Sequence, residues 1–176
     1  MVAPNESIVI RAYETADYEQ VVALFIRINR ELAPDHMREQ FEQYIATAID
    51  GELKQLPDIF SVAGRNAFWV VEVDGRIAGM FGIEACDAER TELRRMYLDK
   101  PYRGRGIAQR MLAWAEAQAR EFDFATMVLS TAEVQNAAIA FYRKSGYRLV
   151  RTELACTMST RTVGGGLARF HFEKKL

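Results

Sequence analysis

Residues 92–108 read E-L-R-R-M-Y-L-D-K-P-Y-R-G-R-G-I-A, and this stretch decides the fold. Its first half is a β-forming segment, and its second half is a short loop holding Pro101, Gly104 and Gly106. A long helical pattern begins at Ile107. The free N–H groups and the dipole at a helix start attract anions, and glycines let a ligand approach the backbone closely. The stretch therefore predicts a loop that binds a pyrophosphate.

The spacing of the loop residues narrows the kind of pyrophosphate. A P-loop requires Gly-Lys-Ser/Thr, and no such run follows Gly106. A dinucleotide fingerprint requires a third small residue where Gln109 stands, which argues against a nicotinamide-dependent oxidoreductase. The pattern that fits is Arg-x-x-Gly-x-Ala from Arg103 to Ala108, with Arg105 as a second cation.

The composition is that of one ordinary globular domain. The chain has 176 residues, 49% of them hydrophobic, which is enough for one core, so we expect a single domain over residues 1–176. The net charge of −1 argues against nucleic acid as a partner. We find no signal peptide and no bilayer-spanning run, so we expect a cytoplasmic protein with no membrane contact and with Cys86 and Cys156 as reduced, buried thiols. The two cysteines and two histidines show no metal-ligand spacing, so no metal site is expected.

Hydrophobic periodicity and turn signals predict seven strands and four helices. Thr15 and Asp35 are interpreted as caps of the first two helices, Asp50-Gly51 as the end of the second, and Asp74-Gly75 as a hairpin turn. Gly79 and Gly82 predict a close approach or a bulge in the following strand. The predicted strands are 8–12, 67–73, 76–84, 91–98, 126–130, 147–156 and 167–174. The predicted helices begin at residue 16, directly after Asp35, and at residues 107 and 136.

A second motif follows the glycine loop at Asn136-x-x-x-x-Phe141-Tyr142-x-x-x-Gly146-Tyr147. Together with Arg-x-x-Gly-x-Ala and the strand before it, this motif resembles the GCN5-related N-acetyltransferase (GNAT) superfamily. The resemblance implies an α+β, three-layer αβα fold with a mixed, mostly antiparallel seven-stranded sheet whose central strands splay apart. It also implies transfer of an acetyl group from acetyl-CoA to a primary amine, by direct attack in a ternary complex without a covalent enzyme intermediate.

The resemblance also assigns roles to individual residues. The backbone of the strand would bind pantetheine at Met96, Tyr97 and Leu98, and an N–H near Leu98 would stabilise the oxyanion. Asn136 would hydrogen-bond the pantetheine arm, and Tyr142 would protonate the leaving thiolate, since phenol and thiol have pKa values of about 10 and 8.5. The diphosphate would lie on the loop residues Arg103, Gly104, Arg105, Gly106, Ile107 and Ala108.

The general base and the acceptor are less sharply predicted. A protonated amine must lose a proton before it attacks, and Glu92 is the candidate base, with Glu84 or ordered water as alternatives. We expect a small-molecule amine as acceptor, with the loop 157–166 bordering its site and mobile. Arg94, Arg95 and His171 could all be site residues, but we interpret them as solvated charges or sheet-face contacts.

Three alternative functions stay open at this point. The chain could be a protein acetyltransferase acting on lysine or N-terminal amines, or a module that senses acyl-CoA without transferring the acyl group. The oxidoreductase remains third, with Gln109 against it. Strand edges near the C-terminus make a homodimer possible.

Overall fold

The computed structural model of this chain describes residues 7–176, which form one seven-stranded sheet with helices packed on both faces. The strands are β1 (Ile8–Ala12), β2 (Ala67–Val73), β3 (Arg76–Ala85), β4 (Arg90–Leu98), β5 (Thr126–Ala132), β6 (Arg148–Ala155) and β7 (Leu167–Lys175). The helices are α1 (Tyr18–Leu32), α2 (Arg38–Gly51), the single turn α3 (Leu56–Ile59), α4 (Ile107–Glu121) and α5 (Asn136–Lys144). The predicted order of elements and the α+β class are confirmed.

The strands lie side by side in the order β1-β2-β3-β4-β5-β7-β6. All neighbours are antiparallel except β4 and β5, which run parallel. These two central strands pair only from Arg90 to Glu92 against Thr126 to Val128 and then diverge. The predicted splay is therefore confirmed, and beyond Glu92 the β5-facing edge of β4 has no partner strand among residues 7–176.

Each face of the sheet buries its own hydrophobic cluster. The helices α4 and α5 pack on one face, where Met111, Ala115 and Tyr142 meet alternate residues of the strands. The helices α1 and α2 pack on the other face through Leu24, Phe25, Tyr44 and Ile45, among other residues. Because a strand presents alternate side chains to opposite faces, the same strands supply both clusters.

A β-bulge interrupts that alternation in β4. Arg94 stands opposite Gly82 and Tyr97 opposite Met80, so two residues of β4 oppose one residue of β3. Arg95 takes the left-handed conformation, with φ of 53°, which is costly for a residue with a side chain. The bulge turns both Arg94 and Arg95 towards the face of α1 and α2, where both bond to Glu52. The predicted irregularity near Gly82 is confirmed, and its extra residue belongs to β4.

The two predicted helix caps are wrong. Thr15 lies inside a 3₁₀ turn that precedes α1, and the Asp17 carboxylate accepts the Glu14 N–H at 2.8 Å instead. Asp35 also lies in a 3₁₀ turn, and its carboxylate pairs with Arg38 at 2.6 Å. In contrast, α2 ends at Gly51 as predicted, and Asp74-Gly75 forms the predicted hairpin turn, with φ values of 49° and 80°.

The prediction that both cysteines are buried is also wrong. Cys86 follows β3 and Cys156 follows β6, and both thiols are exposed. A small apolar side chain at a strand end gives no sequence signal of its exposure, because the alternation of the strand stops there. Among residues 7–176, no helix has the length and apolar character needed to cross a membrane.

Candidate active site

The glycine loop before α4 presents its backbone amides outwards. Gly104 and Gly106 both have positive φ, 74° and 77°, which a residue with a Cβ rarely adopts. Within residues 7–176, the first amide of α4 with a backbone acceptor is that of Arg110, which donates to the Gly106 carbonyl at 3.2 Å. The amides of Ile107 and Ala108, one turn earlier, find no such acceptor in that part of the chain. The loop therefore has the geometry of an anion-binding helix start.

The two arginines of the loop are held by neighbouring groups. Arg103 donates from Nε to the Leu98 carbonyl at 2.8 Å and from Nη1 to Glu31 at 2.6 Å. The guanidinium of Arg105 lies over the Tyr102 ring, 5.9 Å from its centroid. Arg103 therefore fastens the loop to β4 and α1, and its charge is shared with Glu31.

The end of β4 joins this loop to the splayed part of the sheet. Met96 and Leu98 pack against the cluster under α4, while Tyr97 points to the opposite face and meets the Phe25 ring at 5.8 Å between centroids. The β5-facing edge of this segment is open, as a strand that accepts an extended ligand requires. Met96, Tyr97 and Leu98 thus border the gap at which the family resemblance predicts pantetheine.

The second motif lies at the start and in the middle of α5. Asn136 is the exposed first residue of the helix. Tyr142 is buried against Tyr147 and Phe172, with ring centroids 5.8 and 6.4 Å away. The Tyr142 hydroxyl has no hydrogen-bond partner within residues 7–176, and no fully buried side-chain oxygen there is unsatisfied, so this hydroxyl reaches accessible space.

The protonation of Tyr142 follows from its burial. Burial raises the pKa of Tyr142 well above its ordinary value of about 10, because the phenolate would lose its hydration. The group is therefore a neutral O–H donor at physiological pH. Ordinary pKa values suggest that proton exchange between a phenol and a thiol is nearly balanced. This does not hold for Tyr142, because its phenol is a weaker acid than usual.

A cavity of about 340 Å³ opens on the other face of the splayed strands. Its walls come from α1, α2, β4, β5, β6, β7 and residues 159–163 of the loop after β6. Six charged side chains line these walls: Glu92, Arg94, Arg95, Glu153, Arg161 and Arg169. The loop 157–166 thus lines this cavity, and it is fastened to the framework, since the Thr160 carbonyl accepts from Arg95 at 2.5 Å.

A buried ion-pair network forms one wall of the cavity. Glu52 accepts from Arg94 at 2.9 Å and from Arg95 at 3.1 Å, and all three residues are buried. Burial alone would raise the pKa of Glu52, but Arg95 and Arg94 hold it below its ordinary value. Arg95 also donates to the Tyr44 hydroxyl at 2.7 Å. Arg94 and Arg95 are therefore not solvated charges but buried contacts on one face of the sheet, and Glu52 was missed because nothing in its local sequence marks it.

The two candidate bases, Glu84 and Glu92, differ in how many of their carboxylate oxygens accept hydrogen bonds. Glu84 accepts bonds at both oxygens, from Arg94 and from Arg161. Glu92 accepts from Arg161 at 3.3 Å through Oε2 only, and its Oε1 accepts no hydrogen bond within residues 7–176. Glu92 lines the cavity. Of the two carboxylates, Glu92 has the freer acceptor atom.

The side of the cavity formed by β7 holds Arg169 and His171. Arg169 donates from Nη2 to the Ser130 hydroxyl at 2.6 Å. His171 is partly buried, and its Nε2 lies 2.8 Å from Glu153. Sequence reasoning missed Arg169, although it occupies the same face of β7 as His171. Among the described residues, no three His, Cys, Asp or Glu side chains form a group that could hold a metal ion.

Comparison with known families matches residues 19–147 to the acetyltransferase (GNAT) family. The chain belongs to the GNAT family. A relative in Escherichia coli, the uncharacterised N-acetyltransferase YjgM, is 34% identical over 114 residues, covering 63% of this chain and 68% of that protein. Human N-acetylaspartate synthetase is 27% identical over 114 residues, covering 64% of this chain but only 38% of the synthetase.

Solved GNAT structures share the fold of this chain. The PaiA N-acetyltransferase of Thermoplasma acidophilum, solved with coenzyme A, matches with a TM-score of 0.75 at 20% identity, over 97% of this chain and 99% of that one. A GNAT acetyltransferase of Staphylococcus aureus matches with a TM-score of 0.76 at 18% identity, over the same shares. The predicted family, fold and enzyme class, an acetyl-CoA-dependent N-acetyltransferase, are confirmed by this membership.

Proposed function

We propose that this GNAT protein transfers the acetyl group of acetyl-CoA to the primary amine of a small molecule, by direct attack in a ternary complex. The observation that carries the proposal is the gap between β4 and β5, which lies between the glycine loop and the charged cavity. A thioester in that gap would be open to a nucleophile from the cavity. Holding both reactants there would supply most of the rate enhancement.

The cofactor would occupy the glycine loop and the open edge of β4. The backbone at 103–108 would hold the diphosphate, and the edge at Met96, Tyr97 and Leu98 would pair with pantetheine. An amide near Leu98 would stabilise the oxyanion, and Asn136 would bond the pantetheine arm. The outward amides of the loop and the unpaired edge of β4 support this assignment.

Tyr142 and Glu92 would carry the proton transfers. Tyr142 is a neutral donor whose hydroxyl is unbonded within residues 7–176, as a general acid for the departing thiolate needs to be. Glu92 lines the cavity with one free carboxylate oxygen, which favours it over Glu84 as acceptor of the amine proton. Ordered water between Glu92 and the amine is compatible with the same role.

A small molecule is the acceptor that the cavity favours. The cavity volume of about 340 Å³ suits a compact ligand, and the loop 157–166 lies across one side of it. One relative is named for N-acetylaspartate, a small acetylated amino acid.

The test is release of free coenzyme A thiol from acetyl-CoA in the presence of a panel of small amines and of lysine-containing peptides. We expect amine-dependent release with small amines above that with peptides. Tight coenzyme A binding without amine-dependent release would instead indicate a sensing module. No binding of coenzyme A at millimolar concentration would overturn the assignment.

A further inference from the structure

The arginines of the cavity are unequally neutralised. Arg94 bonds to Glu52 and Glu84, Arg95 to Glu52, and Arg161 to Glu84 and Glu92. Three guanidiniums thus share three carboxylates. Arg169 has no carboxylate within ion-pair distance among residues 7–176, and its one side-chain bond goes to the neutral Ser130 hydroxyl.

Arg169 is fixed in the sheet and aimed into the cavity. On β7 it lies between Ala132 of β5 and Glu153 of β6, and it lines the cavity wall. Glu153 is engaged elsewhere, with Arg151 at 2.7 Å and His171 at 2.8 Å. No fully buried side-chain nitrogen in the described chain lacks a partner, so the remaining N–H donors of Arg169 reach accessible space.

A partly buried cation with no ion-pair partner is costly to keep, and Glu92 and Glu153 attract Arg169 only from beyond ion-pair distance. Burial lowers the pKa of Arg169, because the charged form loses hydration, yet an arginine stays protonated in proteins. Within residues 7–176, the only side-chain hydrogen bond that the Arg169 guanidinium makes is the one to the Ser130 hydroxyl. A carboxylate ligand would accept two parallel N–H bonds from the guanidinium and would neutralise it.

The wall of the cavity formed by β4 carries a group that could accept a proton or a hydrogen bond from an amine. Glu92 on β4 offers its free Oε1 to an amine, and β5 separates β4 from β7. The register also displaces them, because Glu92 stands opposite Val128 of β5 whereas Arg169 stands opposite Ala132. The two backbones are therefore roughly 10 Å apart across the strands and about 13 Å apart along them. Because both long side chains line the same cavity of about 340 Å³, a small molecule that carries an amine and a carboxylate could contact both of them.

We propose that the acceptor is a small amino carboxylate whose carboxylate binds Arg169 and Ser130 while its amine faces Glu92. This inference rests on the proposed acetyl transfer, which it narrows to one acceptor class. A phosphate group carries more negative charge than a single guanidinium neutralises, which favours the carboxylate.

The experiment compares matched acceptors: amino acids, their amides, the corresponding amines without the carboxylate, and aminoalkyl phosphonates. Thiol release gives kcat/KM for the unmodified protein, Arg169→Gln, Arg169→Lys and Arg148→Gln. Arg148 is the matched control, because it lies on the neighbouring strand β6, is 73% exposed and pairs with Glu173.

We expect the unmodified protein and Arg148→Gln to prefer the carboxylate over its amide by about 10²-fold. Arg169→Gln should lose this preference through a higher KM for the carboxylate, with a much smaller change for the amide, and Arg169→Lys should recover part of it. Equal kcat/KM values for the carboxylate and the amide acceptor in the unmodified protein would overturn the inference. Equal decreases in kcat/KM for both acceptors in Arg169→Gln would also overturn it. A preference for phosphonates would identify a phosphate-type site instead and would also overturn it.

Two further readouts separate this inference from the proposed function. Calorimetry with the same pairs, at saturating coenzyme A, tests carboxylate recognition even if no acetyl transfer occurs; binding that is independent of the carboxylate would contradict the inference. The thermal midpoint of Arg169→Met should be unchanged or higher, since a charge kept for a ligand does not stabilise the free protein. A clearly lower midpoint would show that Arg169 serves the fold.

Discussion

The glycine loop and the charged cavity, on opposite sides of the splayed strands, are built in opposite ways. The loop is a continuous segment, residues 103–108, and its proposed binding groups are backbone amides set by two glycines with positive φ. The cavity draws side chains from Asn29 to His171, carried by helices, strands and a loop. This difference shows which binding site a family of transferases can share. A site made of backbone amides requires only a few residue types, such as glycine, whereas the specificity of a site made of side chains changes with each substitution.

The largest effect is expected at the junction of the two regions. Tyr142→Phe removes the proposed proton donor to the thiolate, so kcat should fall by about 10²- to 10⁴-fold while the affinity for acetyl-CoA stays the same. Steady-state kinetics and calorimetry check the two quantities. Tyr147→Phe is the control, since its hydroxyl bonds to Glu116 at 3.0 Å and its loss should affect stability but spare kcat. Unchanged turnover in Tyr142→Phe would remove this residue from the mechanism.

The framework of the cavity should depend on its buried charges. Glu52→Gln leaves Arg94 and Arg95 without their shared buried partner, so the free energy of unfolding should fall by about 3–5 kcal/mol in denaturant titrations. Because the folded pKa of Glu52 lies below its unfolded value, this stabilisation is present above about pH 4.3 and is lost as the pH falls through the folded pKa. The variant should lose less stability on acidification than the unmodified protein. Identical acid sensitivity in both proteins would show that Glu52 is not ionised in the network.

The next prediction concerns which carboxylate, Glu92 or Glu84, accepts the proton of the amine. Glu92→Gln should lower kcat/KM by about 10²-fold and remove the rise in rate with pH that reports the base. Glu84→Gln should keep that rise, because both oxygens of Glu84 serve Arg94 and Arg161. Rate measurements from pH 5 to 9 compare the two variants. A pH profile that survives Glu92→Gln would leave water or Glu84 as the acceptor of the proton.

The smallest effect is expected in the loop, where a matched pair of glycines isolates the contribution of the backbone. Gly106→Ala and Gly75→Ala both place a Cβ in open space at positive φ, 77° and 80°. Each should cost about 1–2 kcal/mol of stability. Only Gly106→Ala should weaken coenzyme A binding, by about tenfold in calorimetry, because only its amides face the proposed diphosphate. Equal coenzyme affinity in both variants would argue that the shape of the loop does not matter for binding.

Prediction from sequence succeeded where the information is local. The order of elements, the Asp74-Gly75 turn and the end of α2 at Gly51 follow from periodicity and turn chemistry within a few residues. It failed at the two helix caps, where charged side chains three to six residues away compete for the same groups. Thr15 does not cap α1 because Asp17 bonds to the Glu14 amide and is itself held by Arg11, and Asp35 is bound instead to Arg38.

The cavity shows the same limit more strongly. Arg94 and Arg95 look like surface charges on a strand, and only the bulge at Arg95 turns both side chains to one face. Glu52, their buried partner, is more than forty residues away in the chain. Arg169 has no motif around it, and its lack of a carboxylate partner among residues 7–176 is visible only when the surrounding strands are in place.

The sequence by itself determined the family, the order of the strands and helices along the chain, and the glycine loop, because these depend on residues that are neighbours in the chain. Tertiary structure alone decided which charges meet in the cavity and that Arg169 has no carboxylate within ion-pair distance among residues 7–176. The physical reason is that the energy of a buried charge depends on what surrounds it in space, and those surroundings come from segments that only the folded sheet brings together.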